Sequence, residues 1–196
     1  MPDSEAAKAE LRRRMRRLRV VLARDNPDAA DHLADRLPSH LLSVAVAGGY
    51  SPLGGEIDPR PVMRRLAGAG ARLALPVVRQ TNAEFDFRAW REGDPLSPDA
   101  IGVPSPLATS ERLDPDLILA PVLAFDRQGR RLGQGGGYFD RVISILRSRG
   151  PLVVVGLAFA GQEVPEIPSE THDQPLDAIL TEVGYAEVGA LIRRTL

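Results

Sequence analysis

The sequence has no cysteine and no long apolar run, and each absence narrows what the protein can be. Without cysteine there is neither a disulfide framework nor a thiolate metal site, as is usual in a reducing compartment. No apolar stretch approaches the roughly 20 residues of a membrane-spanning helix, and the amino terminus is charged rather than signal-like. We therefore expect a cytoplasmic protein, and 196 residues suffice for a single domain over 1–196.

Lysine is almost absent as well, because Lys8 is the only lysine beside 24 arginines. A compact ammonium group can do what a planar guanidinium cannot, so this position is a candidate for a specific role. Lys8 lies in a predicted helix that begins at Ser4, the expected N-cap, and runs to about Arg24. Lys8 and Arg12 are four residues apart and share one face of that helix. Its apolar stripe consists of Leu11, Met15, Leu18 and Leu22.

The charge of this helix suggests a polyanionic ligand. Residues 1–20 carry seven basic and three acidic side chains, a net charge of +4 in a chain of net charge −1. Such a face is commonly only solvated, and nucleic acid is a further alternative. Aromatic side chains that would stack on bases are absent from the helix, so nucleic acid is the weaker of the two functional interpretations.

Glycine is concentrated between Ala124 and Arg141, in the segment AFDRQGRRLGQGGGYFDR. A predicted buried strand at 117–125 precedes the glycines, and a predicted helix to about Arg149 follows them. Backbone amides without side chains, next to the positive end of a helix, favour binding of phosphate oxygens. Neither common phosphate fingerprint matches, and a mobile linker is the alternative. The flanking Arg130, Arg131 and Asp140 favour an anion-binding loop with a carboxylate that can serve a metal ion.

The rest of the chain predicts an α/β fold. Strands alternate with helices, which indicates a three-layer arrangement of a largely parallel sheet with helices on both faces. Ligands of such sheets bind beyond the carboxyl ends of the strands, where 51–56, 130–140 and the loop after Phe159 are expected to lie. The remaining predicted helices are 27–40, 59–68 and a short terminal one, the remaining predicted strands are 44–50, 73–78, 85–90, 152–159 and 178–182, and 94–115 is predicted to be mostly loop.

Several segments, taken in order, resemble one enzyme family. RLGQGGGYFD at 131–140 is similar to RLGxGxGYYD, the signature of 5-formyltetrahydrofolate cyclo-ligases, also called methenyltetrahydrofolate synthetases. The resemblance runs from residue 8 to about residue 182 and implies a NagB/RpiA/CoA-transferase-like fold. The other matching segments are Lys8 with Arg12, YSPLGGEID at 50–58, LPVV at 75–78, FRAW at 87–90 with GD at 93–94, IGVP at 101–104, and HD at 172–173 before LD at 176–177.

The resemblance also implies an activity. Members close 5-formyltetrahydrofolate to 5,10-methenyltetrahydrofolate with ATP and Mg²⁺, through an N5-iminium phosphate, and release ADP and phosphate. The implied partners are ATP and 5-formyltetrahydrofolate with its polyglutamates, without nucleic acid or membrane, and we expect a monomer.

The implied site residues follow from the matching segments. Arg131 is the implied catalytic residue, nearest the transferring phosphoryl group. Asp140 and Asp173 are the implied Mg²⁺ ligands, and Ser51, Glu56 and Tyr138 the implied folate contacts. The implied ATP contacts are Lys8, Arg12, Arg131, Leu132, Gly133, Gln134, Gly135, Gly136, Gly137, Tyr138, Phe139 and Asp173.

Each carboxylate also has a structural alternative. Asp140 suits the first turn of a helix, Asp173 is an ordinary loop acid, and Glu56 could cap the helix that follows it. Trp90 alternates with charged neighbours and is predicted to be a core residue. The three histidines show no metal-ligand spacing.

The chain departs from the family pattern at three positions. Phe139 replaces the second tyrosine of the signature, Gln134 stands where Tyr, Arg or Lys is common, and Ser105 stands where Glu is common. Two other functions stay open on the residues alone. A phosphosugar isomerase or lactonase would use the anion loop without ATP, and an RNA-associated protein would use only the basic helix.

Overall fold

The structure, a computed structural model, describes residues 4–79 and 85–189, without the side chain of Ser4. The predicted Ser4 cap therefore lies outside the described residues, as does the predicted carboxyl-terminal helix beyond Gly189. The α-helices of this part are α1 (Ser4–Asp25), α2 (Ala29–Arg36), α3 (Arg60–Gly68) and α4 (Tyr138–Arg149). The strands are β1 (Val46–Gly48), β2 (Arg72–Val78), β3 (Phe85–Ala89), β4 (Leu96–Pro98), β5 (Pro104–Pro106), β6 (Arg112–Leu113), β7 (Leu117–Pro121), β8 (Ala124–Phe125), β9 (Arg131–Leu132), β10 (Val153–Leu157), β11 (Ala178–Thr181) and β12 (Gly184–Glu187).

Eight of the strands form one sheet in the order β12-β11-β10-β7-β1-β2-β3-β6. The five central strands, from β11 to β2, are parallel to one another. Antiparallel pairing occurs only toward the edges of this sheet, where β12 joins β11, and where β3 and β6 follow β2. The hairpins β4–β5 and β8–β9 lie outside it. The prediction of a largely parallel sheet is confirmed.

Helices cover both faces of the sheet. Leu33 of α2 and Leu66 of α3 are fully buried in one apolar cluster, and Ile143 of α4 is fully buried in another. The buried central strands separate these clusters, so the fold has three layers, as predicted. No helix within the described ranges combines the length and apolarity that crossing a membrane requires.

The predicted strand at 117–125 is in fact two strands. β7 ends at Pro121, which lacks an N–H for a further ladder bond. The side-chain amide of Gln162 donates to the carbonyl oxygens of Val122 and Leu123, both at 2.8 Å. These bonds hold the chain as it leaves the sheet, and β8 then pairs with β9 rather than with a sheet strand. The glycine loop therefore follows a small hairpin rather than the central strand.

Other boundaries differ for local reasons. The helix predicted over 27–40 ends at Arg36, because Leu37 precedes a proline and is extended, and a 3₁₀ turn follows at Ser39–Ser43. The region 94–115, predicted as loop, contains the β4–β5 hairpin and β6. The strand β12 was not predicted, since its four residues leave no apolar pattern.

A buried aspartate holds the turn between β8 and β9. Asp126 is fully buried and accepts hydrogen bonds from the backbone N–H groups of Gln128, Arg130 and Ile167. It also forms an ion pair of 2.6 Å with the Arg130 guanidinium. Arg130 thus stabilises the turn before the glycine loop and does not line the ligand cavity described below.

We expect Asp126→Asn to destabilise the fold by about 3–5 kcal/mol, because it removes one partner of a buried ion pair and presents an amide to N–H donors. The measurement is the free energy of unfolding in urea. The matched control is Glu166→Gln, which removes the exposed second partner of Arg130 and should cost no more than about 0.5 kcal/mol. Equal losses in the two variants would contradict this role of Asp126.

Candidate active site

A cavity of about 340 Å³ opens beyond the carboxyl ends of β1, β2 and β7. This is the edge of the sheet where ligands of parallel sheets bind. The three predicted loops meet here, and so does α1. Of the residues proposed from the sequence, the cavity is lined by Lys8, Arg12, Ser51, Glu56, every residue from Arg131 to Asp140, and Asp173.

Lys8 is buried at the wall of this cavity, with only 5% of its surface exposed. Its ammonium group lies 2.8 Å from Oδ2 of Asp173 and 3.4 Å from Oε1 of Glu170. A solvated surface position is therefore ruled out. Glu170 and the neighbouring His172 line the cavity too but were not predicted, because no spacing in the sequence distinguishes them from other loop residues.

The ion pair with Lys8 changes the acidity of Asp173. Burial is the largest influence and would raise the pKa of this carboxyl group. The hydrogen bonds from Lys8 and from the backbone N–H of Glu170, together with nearby positive charge, outweigh burial and lower the pKa below its ordinary value of 3.8. Asp173 is therefore an anion at neutral pH.

Two arginines of α1 hold the carbonyl side of the glycine loop. Arg12 donates from Nε to the carbonyl oxygen of Gly133 at 3.3 Å. Arg16 donates to the side-chain oxygen of Gln134 at 3.0 Å and to its carbonyl oxygen at 3.2 Å. Part of the basic surface predicted for α1, the side that carries Arg12 and Arg16, thus contacts a protein loop.

The opposite side of the loop offers free donors. None of the backbone N–H groups of residues 133–137 donates a hydrogen bond to another described residue. Gly135 and Gly137 have φ values of 107° and 63°, which side chains rarely adopt, so glycine permits the tight course of the loop. Gly137 directly precedes the twelve residues of α4. The loop therefore combines unpaired amides with a positive helix end, as an anion site requires.

Arg131 and Asp140 face each other across this loop. The Arg131 guanidinium donates to Oδ1 of Asp140 at 2.9 and 3.0 Å and to the carbonyl oxygen of Gln174 at 2.6 Å. The same Oδ1 accepts the backbone N–H of Gln174 at 2.9 Å. Three of the five guanidinium N–H donors are thus used, and two remain for a ligand.

Glu56 supplies a buried carboxylate at another part of the wall, with 7% of its side chain exposed. Oε1 accepts from Arg19 at 3.2 Å and from the side-chain amide of Gln134 at 3.3 Å. Oε2 accepts the backbone N–H of Leu53 at 2.9 Å. Glu56 is therefore held in place from α1 and from its own turn, and it does not act as a simple cap of α3.

The rest of the cavity wall is largely apolar. The β4–β5 hairpin closes one side, and Asp99 ties it to β2 by accepting the backbone N–H of Val78 at 3.0 Å. The hydroxyl of Ser51 donates to the carbonyl oxygen of Pro104 in the same hairpin. Ser51 was predicted to lie in the site, whereas Asp99 was not, because the hairpin was taken for a loop. The apolar lining includes Leu53, Pro76, Val78, Phe85, Ile101, Val103, Pro121, Leu123, Leu132 and Phe139.

Two aromatic side chains at the start of α4 also line the cavity. Phe139 makes an edge-to-face contact with Phe85, with ring centroids 5.4 Å apart. The Arg141 guanidinium lies 4.9 Å from the ring centroid of Tyr138. Trp90 is 6% exposed and belongs to the core, as predicted.

Comparisons with known proteins identify the family of this chain. Residues 4–182 match the model of the 5-formyltetrahydrofolate cyclo-ligase family. The chain belongs to that family. The relatives named 5-formyltetrahydrofolate cyclo-ligase include one from Mycolicibacterium smegmatis, 30% identical over 76% of this chain and 81% of its own. Another, from Haemophilus influenzae, is 30% identical over 67% of this chain and 72% of its own.

Solved structures of this family share the fold. The 5,10-methenyltetrahydrofolate synthetase of Aquifex aeolicus superposes with a TM-score of 0.73 at 25% identity, covering 92% of each chain. That of Mycoplasma pneumoniae gives 0.70 at 19% identity over 89% of this chain and 98% of its own, which supports the fold alone.

The Mg²⁺ expected from the family can be tested against the cyclo-ligase cavity. No group of three or more potential metal-ligating side chains occurs in the part of the chain that the structure describes. Asp140 and Asp173 each use one oxygen in the contacts above, while Oδ2 of Asp140 and Oδ1 of Asp173 accept no hydrogen bond from described residues. Mg²⁺ commonly takes one or two carboxylates together with phosphate oxygens and water. Each of the two residues therefore has a carboxylate oxygen that could serve a metal ion bound to a phosphate chain.

The lowered pKa of Asp173 predicts a pH-dependent contribution to stability. Because the folded carboxyl group binds a proton less readily than the unfolded one, its contribution is present above pH 3.8 and is lost as pH falls through the lower folded pKa. We expect the difference in unfolding free energy between the wild type and Asp173→Asn to be widest at neutral pH and to narrow toward about pH 3. Urea unfolding across this range measures it, and a constant difference would contradict the ion pair with Lys8.

Proposed function

We propose that this chain is an ATP-dependent 5-formyltetrahydrofolate cyclo-ligase that forms 5,10-methenyltetrahydrofolate, ADP and phosphate. One observation carries the proposal. The glycine loop with its free amides, the Lys8–Asp173 pair and the Glu56 carboxylate all line one cavity. A single cavity with a phosphate-binding wall, an apolar wall and one buried carboxylate suits two substrates that must react with each other.

The chemistry explains why ATP is needed. A formyl amide is a poor electrophile, since its nitrogen donates electrons into the carbonyl group and its oxygen cannot leave as oxide. We propose that the formyl oxygen attacks the γ-phosphorus of ATP, which releases ADP and leaves an N5-iminium phosphate. N10 of the folate then attacks the activated carbon, loses its proton, and phosphate leaves. The protein contributes alignment and charge stabilisation rather than covalent chemistry.

Arg131 is the proposed catalytic residue. Its side chain is only 5% exposed, and its position is fixed by Asp140 and the Gln174 carbonyl group. Two N–H donors remain, which suits an arginine that contacts the transferring phosphoryl group from a preorganised position. Lys8 and Arg12 supply further positive charge from α1. The proposed ATP contacts also include the backbone of Leu132, Gly133, Gln134, Gly135, Gly136 and Gly137, with Tyr138, Phe139 and Asp173 beside it.

Asp140 and Asp173 are the proposed holders of Mg²⁺. A bound Mg²⁺ would neutralise negative charge on the phosphate oxygens. Within the protein itself, Asp173 pairs with Lys8 and Asp140 pairs with Arg131. The phosphate-binding wall is thus a set of paired charges, which keeps these charges compensated before substrates bind.

The pterin is proposed to bind at Glu56. A buried carboxylate is a strong acceptor for the ring N–H and amino group of a pterin. Ser51 lies on the same wall, and Tyr138 offers an aromatic face to the ring. Phe139 keeps an aromatic surface where the family signature has tyrosine, and its contact with Phe85 holds that surface in place.

We further propose that residues 1–196 act as one domain, a monomer in the cytoplasm, with ATP and folate polyglutamates as its partners.

The decisive experiment uses purified protein with 5-formyltetrahydrofolate, ATP and Mg²⁺. We expect methenyltetrahydrofolate to form, detected by its near-ultraviolet absorbance, with one ADP per product. Folded protein that binds Mg·ATP but makes no product would exclude the proposed reaction. Failure to bind Mg·ATP in calorimetry would instead favour an isomerase or lactonase.

Arg131→Lys tests the proposed catalytic residue. Lysine keeps the charge beside Asp140 but cannot contact both Asp140 and a phosphoryl group with a planar fork. We expect kcat to fall roughly 100-fold, with the KM for the folate nearly unchanged. Steady-state kinetics measure both, and the melting temperature serves as the control for folding. A variant with normal kcat would remove Arg131 from the chemistry.

A further inference from the structure

Gln134 joins the phosphate-binding loop to the proposed folate-binding carboxylate. Its side-chain oxygen accepts from Arg16 Nε at 3.0 Å, and its side-chain NH₂ donates to Oε1 of Glu56 at 3.3 Å. We propose that this contact is a latch that both substrates open, so that binding of either one strengthens binding of the other. The inference rests on the proposed function.

Most acceptor sites of the Glu56 carboxylate are already occupied by donors from the protein. A carboxylate offers about four lone-pair sites, two on each oxygen. Oε1 already accepts from Arg19 and Gln134, and Oε2 accepts from Leu53 N–H. A ligand that donates to both oxygens, as the ring N–H and amino group of a pterin do, finds one free site on Oε2 and none on Oε1. A ligand N–H that approaches Oε1 therefore competes with the two donors already there.

Gln134 is the donor that can leave. Arg19 is buried, and its guanidinium would lose a charged partner. Gln134 is exposed and neutral, and water can replace its bond to Glu56 at little cost. Its oxygen stays anchored by Arg16, so release requires only that the NH₂ end turn away from the carboxylate.

The released NH₂ group lies on the loop that would hold the phosphates. Gln134 is flanked by Gly133 and Gly135, whose backbone N–H groups are free, and its side chain lines the same cavity. An ATP phosphate that accepts a bond from the released group would favour the open latch too. Two ligands that favour the same state of one element must strengthen each other's binding.

The residue type matters for this role. Glutamine both accepts and donates, so it can bond to Arg16 and Glu56 at once. Lysine or arginine has no acceptor for Arg16 and would hold Glu56 by charge. Compared with lysine or arginine at this position, glutamine therefore makes a neutral latch that opens easily.

Calorimetry tests the latch with 5-formyltetrahydrofolate, in the presence and absence of Mg²⁺ and a non-hydrolysable ATP analogue. In the wild type, we expect the analogue to lower the folate Kd about two- to tenfold, the range of one hydrogen bond. Gln134→Ala has no latch, so it should bind the folate alone as tightly as the wild type does with the analogue, and the analogue should change nothing. The control is Gln128→Ala, an exposed glutamine outside the cavity, which should keep the wild-type coupling.

The outcomes separate the latch from the reaction. Equal folate affinity of the wild type with and without the analogue, or weaker folate binding by Gln134→Ala alone, would overturn the latch while leaving the reaction intact. A folate Kd of Gln134→Ala that the ATP analogue still lowers would also overturn the latch and leave the reaction intact. If folded wild-type protein bound no 5-formyltetrahydrofolate, both the latch and the proposed function would fall.

Discussion

The basic face of α1 is the interaction on which the cavity depends. Lys8, Arg12, Arg16 and Arg19 follow one another at intervals of three or four residues and so lie along one side of the helix. Together they contact three parts of the wall: the Asp173 loop, the glycine loop and Glu56. These segments are far apart along the chain, and a single helix contacts all three.

Charge pairing makes this arrangement tolerable in a partly buried place. A buried ion without a partner lowers the free energy of unfolding by roughly several kcal/mol, whereas a well-bonded ion pair leaves it about unchanged. Lys8 with Asp173, and Arg131 with Asp140, satisfy this condition in the protein alone. The same groups are suited to phosphate and metal, because a ligand that brings both signs of charge can replace each partner. Lys8, Asp173, Arg131 and Asp140 therefore need partners of opposite charge both for the stability of the fold and for the proposed binding of phosphate and metal.

The sequence predicted the parallel sheet, the two helical layers and most residues of the cavity, since these leave periodic or motif signals. The glycines do precede α4, as predicted. The prediction that they directly follow the central strand was wrong, because the chain leaves the sheet at Pro121 and is held there by Gln162. Long-range pairs such as Arg19 with Glu56 were beyond prediction, as they join residues 37 positions apart without a local pattern. The β4–β5 hairpin and the contact of its Asp99 with β2 were not predicted, because its strands are short and rich in proline.

We propose that the free amides of residues 133–137 hold the phosphates of ATP. Hydrogen exchange of the backbone amides, followed by mass spectrometry with and without Mg·ATP, measures this contact. We expect slower exchange in the loop and at the start of α4, with smaller changes in the strands of the sheet. Unchanged exchange in the loop under saturating Mg·ATP, with slowing elsewhere, would contradict it.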